Sequence, residues 1–528
     1  MRFIIHPHRD RRLLISVVIL IAAALRTLRL DAIPPALFRD EAEKLYNAFC
    51  LATTGRDCSG HVLPLFIQVF GVTTSALYQY AAVPCVWLCG MNEWAARLPA
   101  ALVGTLTVLL TFLWIEQARG LRTALWAAVF LAFSPWHIVF SRWAQQGIFL
   151  PLFFAGAMVG WQKFLRGKNH ALLGVAAALG LAVYTYDVAR AFVPLLILLM
   201  LGLYWHELWR QWRWTLTSAV LFLLVSLPTL WLLFFRTEAA QARFSRISIF
   251  GRDQSLGAII SLFARNYLAH FSPQFLVLRG DSELRHGAAV GILSAIEFLG
   301  LLVGVVALLR RPSRFGSLLL AWLACYPVAA SLTREGVPHA LRSIVGIPTV
   351  QTIAAIGIVH LEHIAKNYWR RSLTLPLLLA QLLAFLPFAY RYFGNYSTQS
   401  AWNWQYGVKQ SLAILEQLEP NLDRIAFYRI FGAEYLVAVY RRIPPSQFRP
   451  DLARIGKFEW LGFDVDLSRW PPLRNEAVAV VTLPLRPPPP AVGVIPIHAP
   501  NSKDLVAVIY LNENARVRLR DYAQKLSH

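Results

Sequence analysis

ALYQYAAVPCVWLCG, residues 76–90, is the stretch on which the topology of this chain turns. It is apolar, yet a helix of that length reaches only about 22 Å, and a bilayer core is about 30 Å thick. Pro84 stands inside it, where it removes a backbone hydrogen bond. Read as a membrane span, it would move every later loop to the opposite side. Read as a helix lying in the membrane interface, it leaves them in place. The basic residues choose between the two readings.

Outward from this stretch the chain is built for a bilayer. Of its 528 residues, 57% are hydrophobic and 15% charged, against about a quarter charged in a soluble domain. Apolar runs are expected to span near 13–30, 94–115, 123–140, 148–164, 170–184, 189–205, 214–235, 287–309, 315–333, 340–361 and 372–391, about eleven spans in all. With the N-terminus inside, the cytoplasmic connections hold Arg2, Arg9, Arg11 and Arg12, then Arg119 and Arg122, then Lys163, Arg166 and Lys168. Further along they hold Arg210 and Arg213, then Arg310, Arg311 and Arg314, then Lys366, Arg370 and Arg371. This is the positive-inside pattern, and it holds only if residues 76–90 do not cross.

The net charge of +22 is therefore a topology signal. Basic residues spread over short loops meet anionic lipid headgroups, and they argue against a nucleic-acid partner. The N-terminal apolar run lacks a small-residue cleavage site and is expected to remain as an anchor. The five cysteines form no pair of CxxC ligand sets. Pairing of Cys50 with Cys58 is left open.

The expected organisation is a transmembrane domain over 1–391 and an extracytoplasmic α/β domain over 392–528. The transmembrane domain carries two long outer loops, 31–93 with interfacial helices and 236–286. In the C-terminal domain Arg424–Tyr428, Ala477–Leu483 and Leu505–Leu511 read as buried strands, and Ala433–Arg441 as a helix. The Pro487–Pro490 run reads as a stiff loop.

The outer connections differ in kind from the inner ones. The first carries Phe38-Arg39-Asp40-Glu41 and His61; the second Ser141-Arg142 followed by Gln145-Gln146; the third Asp187 and Arg190. The fourth ends in Gly280-Asp281 through Arg285-His286, and the fifth holds His339-Ala340-Leu341-Arg342. Two adjacent acids at a membrane surface are costly unless they hold a proton, a metal or a substrate. A helix N-cap explains one carboxylate better than two. Singly, Arg142, Arg190 and Arg342 read as interfacial anchors, and Asp187 with Arg190 as a local ion pair. Together on one side they suit a phosphate site, with His286 and His339 each close to an arginine.

These segments, with Asn92-Glu93-Trp94-Ala95-Ala96-Arg97-Leu98-Pro99, Ser134-Pro135-Trp136-His137 and Tyr184-Thr185-Tyr186, carry a resemblance. The chain resembles bacterial membrane glycosyltransferases of the GT-C superfamily, in the group that includes protein O-mannosyltransferases and the lipid A aminoarabinose transferase. The likeness runs over the membrane part and fades after about residue 410. It implies an all-α polytopic membrane fold of GT-C type, to which the residues themselves add the small C-terminal α/β domain. It also implies a polyprenyl-phosphate-linked sugar as donor, inversion at the anomeric carbon, and an active site at the outer face of the plasma membrane. The acid after the first span falls on Asp40, with Glu41 beside it.

On this reading Asp40 is the general base and Glu41 its catalytic neighbour. Arg342, Arg285, Arg190 and His339 bind the donor phosphate; Arg142, Asp187, Asp281, His286 and His61 face acceptor or sugar. No cofactor is demanded; a divalent cation is compatible, with Glu41 or Asp281 as its ligand. Relatives often carry an acid after the Ser-Arg pair, and Gln145-Gln146 stand there instead. The acceptor is a protein, a glycolipid or a lipid-linked glycan, and the moved group a hexose or pentose. The competing class is a transporter or flippase of lipid-linked glycans, which tends to place ionisable groups near the midplane and to show inverted repeats.

Overall fold

The computed structural model describes residues 7–235, 244, 247–250, 255–462, 465, 476–484 and 491–526, so the Pro487–Pro490 run lies outside the described residues. It divides into two compact units. One comprises Met1–Leu28, Leu65–Leu77 and Ala100–Arg391; the other comprises Arg29–Pro64, Tyr78–Pro99 and Tyr392–His528.

The first unit is helical. Among the described residues seven helices in the chain are long and apolar enough to cross a membrane: Glu93–Arg119, Gln146–Leu165, Asp187–Arg210, Trp212–Phe235, Arg314–Ser331, Ile344–Tyr368 and Thr374–Gln399. Every stretch expected to span carries helix, with two late starts. The run expected from 287 becomes helical only at Ala295, where the Ser294 hydroxyl accepts the Glu297 amide at 3.1 Å. The run expected from 340 begins with a short 3-10 turn, Ile344–Gly346, and settles into helix at Thr349 after Pro348. Gly287 and Gly291 in the first lead-in, and Gly346 and Pro348 in the second, favour irregular backbone.

The Ala295–Arg310 and Thr349–Trp369 helices meet backbone to backbone. A Cβ added at Gly357 would lie 1.9 Å from the Gly300 carbonyl oxygen, and one at Gly304 2.0 Å from that of Ile353. Gly300 and Gly304 are four residues apart and so share a helix face. This is the small-residue contact that replaces hydrophobic driving force where lipid is the solvent. Polar side chains tie these helices together: Gln351 donates to Glu297 at 2.8 Å, and Ser294 to Gln381 at 2.6 Å.

The second unit holds a six-stranded sheet in the order β4-β5-β3-β6-β8-β7, following an earlier hairpin β1 (Phe66–Val69) and β2 (Val72–Ser75) in the helical unit. Its strands are β3 (Arg424–Tyr428), β4 (Arg454–Ile455), β5 (Phe458–Leu461), β6 (Val478–Thr482), β7 (Gly493–His498) and β8 (Leu505–Leu511). Strand β3 runs parallel to β5 and β6, and the β6–β8, β7–β8 and β4–β5 pairs are antiparallel. One apolar cluster of the sheet comprises Ala426, Tyr428, Leu461, Val478, Val480, Val508 and Tyr510. The strands read from sequence are β3, β6 and β8. Edge strand β7 escapes that reading because Pro496 interrupts it, which an edge tolerates. Residues 76–90 form the helix Leu77–Cys89, which measures about 20 Å and carries Pro84.

Candidate active site

In the sheet-bearing unit, the helix Arg39–Thr54 sends its two first-turn acids in different directions, because neighbours on a helix diverge by about 100°. Glu41 is fully buried. Its carboxylate takes both arms of Arg97, with Nε at 3.0 Å and Nη2 at 2.9 Å, and also accepts the Phe38 amide at 3.1 Å. Arg97 spends its remaining protons on the carbonyls of Leu30, Pro34 and Ala36, at 2.9, 2.8 and 2.6 Å. The capping explanation of the acid pair thus accounts for Glu41. Asp40 stays 36% exposed, and the nearest guanidinium, that of Arg39, approaches only to 3.6 Å.

The same helix is fixed from its other side by Glu43, Asn47, Gln79 and Cys58. Glu43 accepts from Asn47 at 2.9 Å and Gln79 at 3.1 Å, and Asn47 accepts the Cys58 amide at 3.0 Å. Burial raises the Glu43 carboxyl above its ordinary range. Cys50 and Cys58 are both buried free thiols. His61 lies on a surface turn built by Asp57, which sits 3.0 Å from its Nδ1, and 69% of the His61 side chain is exposed. Glu93 accepts from Lys409 at 2.7 Å and Tyr440 at 3.2 Å. Burial opposes its charge, yet Lys409 and Arg97 hold it below the usual carboxylate range.

In the helical unit the remaining sequence-derived residues fall into two groups. Asp187, Arg190 and Arg342 line one cavity of about 340 Å³ with Tyr186, Val188, Phe244, Leu332 and Thr333. Arg190 meets Asp187 at 2.9 Å, but its buried Nε has no partner among the described residues. Arg342 Nη1 donates to the Thr333 hydroxyl and the Glu335 carbonyl, both at 2.8 Å. The cavity therefore combines apolar walls with two guanidinium groups.

Asp281, His286 and His339 form the second group. Asp281 Oδ2 lies 2.8 Å from His286 Nδ1 and 3.8 Å from His339 Nδ1. Arg285 turns to Glu283, at 3.1 Å; burial works against the Glu283 charge, and Arg285 keeps that carboxyl below its ordinary range. Arg142 is buried and donates to the carbonyls of Leu25 and Leu28, at 3.1 and 2.7 Å. Gln145 and Gln146 are buried too, and each has a side-chain oxygen without a partner among the described residues.

Sequence reasoning missed two elements of this architecture. Arg26, inside the first apolar run, donates to the carbonyls of Leu131 and Ala132 and lies 2.8 Å from His137 Nδ1. The signal was an arginine well inside an apolar run whose other charge, Arg29, stands at its end. The Glu41–Arg97 pair was the other, and the buried arginine of Glu93-Trp94-Ala95-Ala96-Arg97 was its signal.

Residues 73–231 match the family model of dolichyl-phosphate-mannose-protein mannosyltransferase. The fold is shared with ArnT from Cupriavidus metallidurans in its apo state, at 14% identity and a TM-score of 0.61, over 96% of this chain and 98% of that one. The same protein bound to undecaprenyl phosphate gives 14% identity and a TM-score of 0.61, over 95% and 98%. No curated protein matches the sequence.

The resemblance is borne out. The chain is a multi-pass membrane protein that shares the fold of ArnT and carries a small C-terminal sheet domain, and its residues 73–231 resemble the matched mannosyltransferase family. Nothing in them favours a flippase.

Proposed function

We propose that this chain is a membrane glycosyltransferase that moves a sugar from a polyprenyl-phosphate carrier to an acceptor hydroxyl at the outer face of the plasma membrane. The observation that carries the reading is the cavity of Asp187, Arg190 and Arg342, where two guanidinium groups sit among apolar side chains. A lipid phosphate needs both kinds of surface at once. The matched family's description names a dolichyl-phosphate-linked donor, and a protein of the same fold binds undecaprenyl phosphate.

The acceptor's hydroxyl oxygen attacks the anomeric carbon as the carbon–oxygen bond to the phosphate breaks on the opposite face, which inverts the centre. Asp40 takes the hydroxyl proton; its exposed carboxylate, beside a Glu41 already committed to Arg97, suits a general base. Glu41 acts as a positioning residue through the helix turn that presents Asp40. Arg342 and Arg190 hold the phosphate and offset the charge that grows on it. Arg285 and Arg142, engaged with Glu283 and with carbonyls, serve the architecture of their loops. His61, on its exposed turn, is left to the acceptor side. The basic connections support a cytoplasmic N-terminus and an extracytoplasmic sheet domain.

The test is turnover by purified protein in detergent, supplied with a sugar linked to undecaprenyl phosphate or dolichyl phosphate and with candidate acceptors. Release of polyprenyl phosphate that depends on acceptor and on Asp40 supports the reading. Movement of intact donor across liposomes without cleavage would instead establish the flippase.

A further inference from the structure

The transfer reading needs no metal, and one cluster in the helical unit has the composition of a metal site. We propose that Asp281, His286 and His339 bind one divalent ion of the zinc class, joining the loop around residues 280–286 to the loop that precedes the Thr349–Trp369 helix. One ligand atom from each of the three residues lies within 4.8 Å of the others, and all three residues are buried. The two imidazole rings are 4.6 Å apart between centroids.

The geometry is close to what coordination requires. Zinc holds imidazole nitrogen and carboxylate oxygen at about 2.0–2.2 Å, which puts tetrahedral ligands roughly 3.4 Å apart. The observed separations from Asp281 Oδ2, 2.8 Å to His286 and 3.8 Å to His339, straddle that value. His339 Nδ1 accepts the Arg342 amide at 3.3 Å, a contact the ion would replace as small ring rotations bring the set to length.

The ligands are also held in advance. Asp281 Oδ1 accepts the Glu283 amide at 2.9 Å, and Oδ2 accepts the Ala340 amide at 2.8 Å. The amide of His339 donates to His270 Nε2 at 3.2 Å, while His270 Nδ1 lies 2.8 Å from the Asn266 carbonyl oxygen. Because the His339 amide donates to Nε2, the ring proton sits on Nδ1, which donates to the Asn266 carbonyl. Such outer contacts orient metal ligands and are worth about 10–100-fold in affinity.

The donor set selects the ion. Two imidazoles and one carboxylate suit zinc and its transition-metal neighbours, whereas magnesium and calcium take oxygen ligands. Three protein ligands leave a fourth position for water or an anionic oxygen. Asp281 lines a cavity of about 640 Å³ that Arg279, Arg391, Gln274, Ser272 and Ser282 also border, and the fourth ligand enters from there. Without a metal, the same residues make a hydrogen-bonded staple, with His286 Nδ1–H donating to Asp281.

The test uses full-length, tag-free protein in detergent and no sugar donor, so its outcome is independent of the transfer reading. Zinc content is measured by elemental mass spectrometry after dialysis, affinity by competition with a chromophoric chelator, and geometry by the visible absorption of the cobalt(II) form. One zinc per chain is expected, with tetrahedral cobalt bands. Asp281→Asn and His339→Gln should each weaken zinc at least tenfold. His286→Cys should keep the metal and add a thiolate-to-cobalt charge-transfer band, which decides the matter even if the other variants fail to fold. Absence of stoichiometric zinc would overturn the proposal in favour of the staple. So would unchanged zinc affinity in folded Asp281→Asn and His339→Gln, or cobalt bands that His286→Cys does not alter.

Discussion

Arg97 and Arg190 stand 2.9 Å from Glu41 and Asp187 respectively, yet the two pairs belong to different kinds of chemistry. Both members of the first pair are fully buried, and Arg97 spends its other protons on three carbonyls. In the second pair the Asp187 side chain is 52% exposed, the arginine borders a cavity, and its Nε lacks a partner among the described residues. Distance does not separate a saturated structural pair from one proposed to bind phosphate. Saturation and burial do, and variants can test the distinction.

The largest effect is expected at Asp40, the carboxylate proposed as the base. Asp40→Asn should lower turnover by about 10²–10⁴-fold, the usual worth of a positioned base, while the thermal unfolding midpoint in detergent stays within experimental error. Near wild-type turnover would remove Asp40 from the chemistry. At the saturated pair the order reverses: Arg97→Ala leaves the buried Glu41 without its counter-charge, at a cost of about 3–5 kcal/mol. Fluorescence-detected size exclusion after a heat ramp should show most of the folded protein lost. Arg97→Lys should recover little of it, since an ammonium cannot reproduce the planar fork.

Arg342→Ala is the smaller test at the open site. Loss of one charge-assisted contact, about 1.5–3 kcal/mol, should raise the apparent donor constant roughly 10–100-fold. An unchanged donor constant would take Arg342 out of the phosphate role. Smallest is the pH effect at Glu93, whose carboxyl is held below its ordinary value of 4.5. Its stabilisation is full above that value and disappears as pH falls through the lowered one. The unfolding midpoint of the wild type should therefore drop below about pH 4 more steeply than that of Glu93→Gln.

The helices of the bundle were legible because lipid imposes a continuous apolar run of known length and the loops mark their side with charge. Strands β3, β6 and β8 were legible for a similar reason, since Ile425, Val480 and Ile509 lie in short apolar runs. Strands β4 and β5 were not, because Arg454 and Glu459 interrupt the pattern at the sheet edge. At the candidate site the sequence grouped acids, arginines and histidines on one side but could not sort them. Glu41 beside Asp40 looked like a second catalytic acid until its partner, 56 positions away, was seen. Asp281, His286 and His339 were assigned separately to phosphate and sugar. Only folding brings residues 281 and 339 within 4 Å.

The glycine crossing at residues 300, 304 and 357 can be seen as a fulcrum. The Ala295–Arg310 helix continues the segment that carries Asp281 and His286, and the Thr349–Trp369 helix the segment that carries His339 and Arg342. From Gly304 to the start of its helix is about 13 Å of rigid rod. A side chain inserted at the crossing pries the rods apart, and the displacement grows toward their ends. Bulk added deep in the bundle would thus reach the histidines without touching them, and the mutational footprint of the outer loops extends into positions that no ligand approaches.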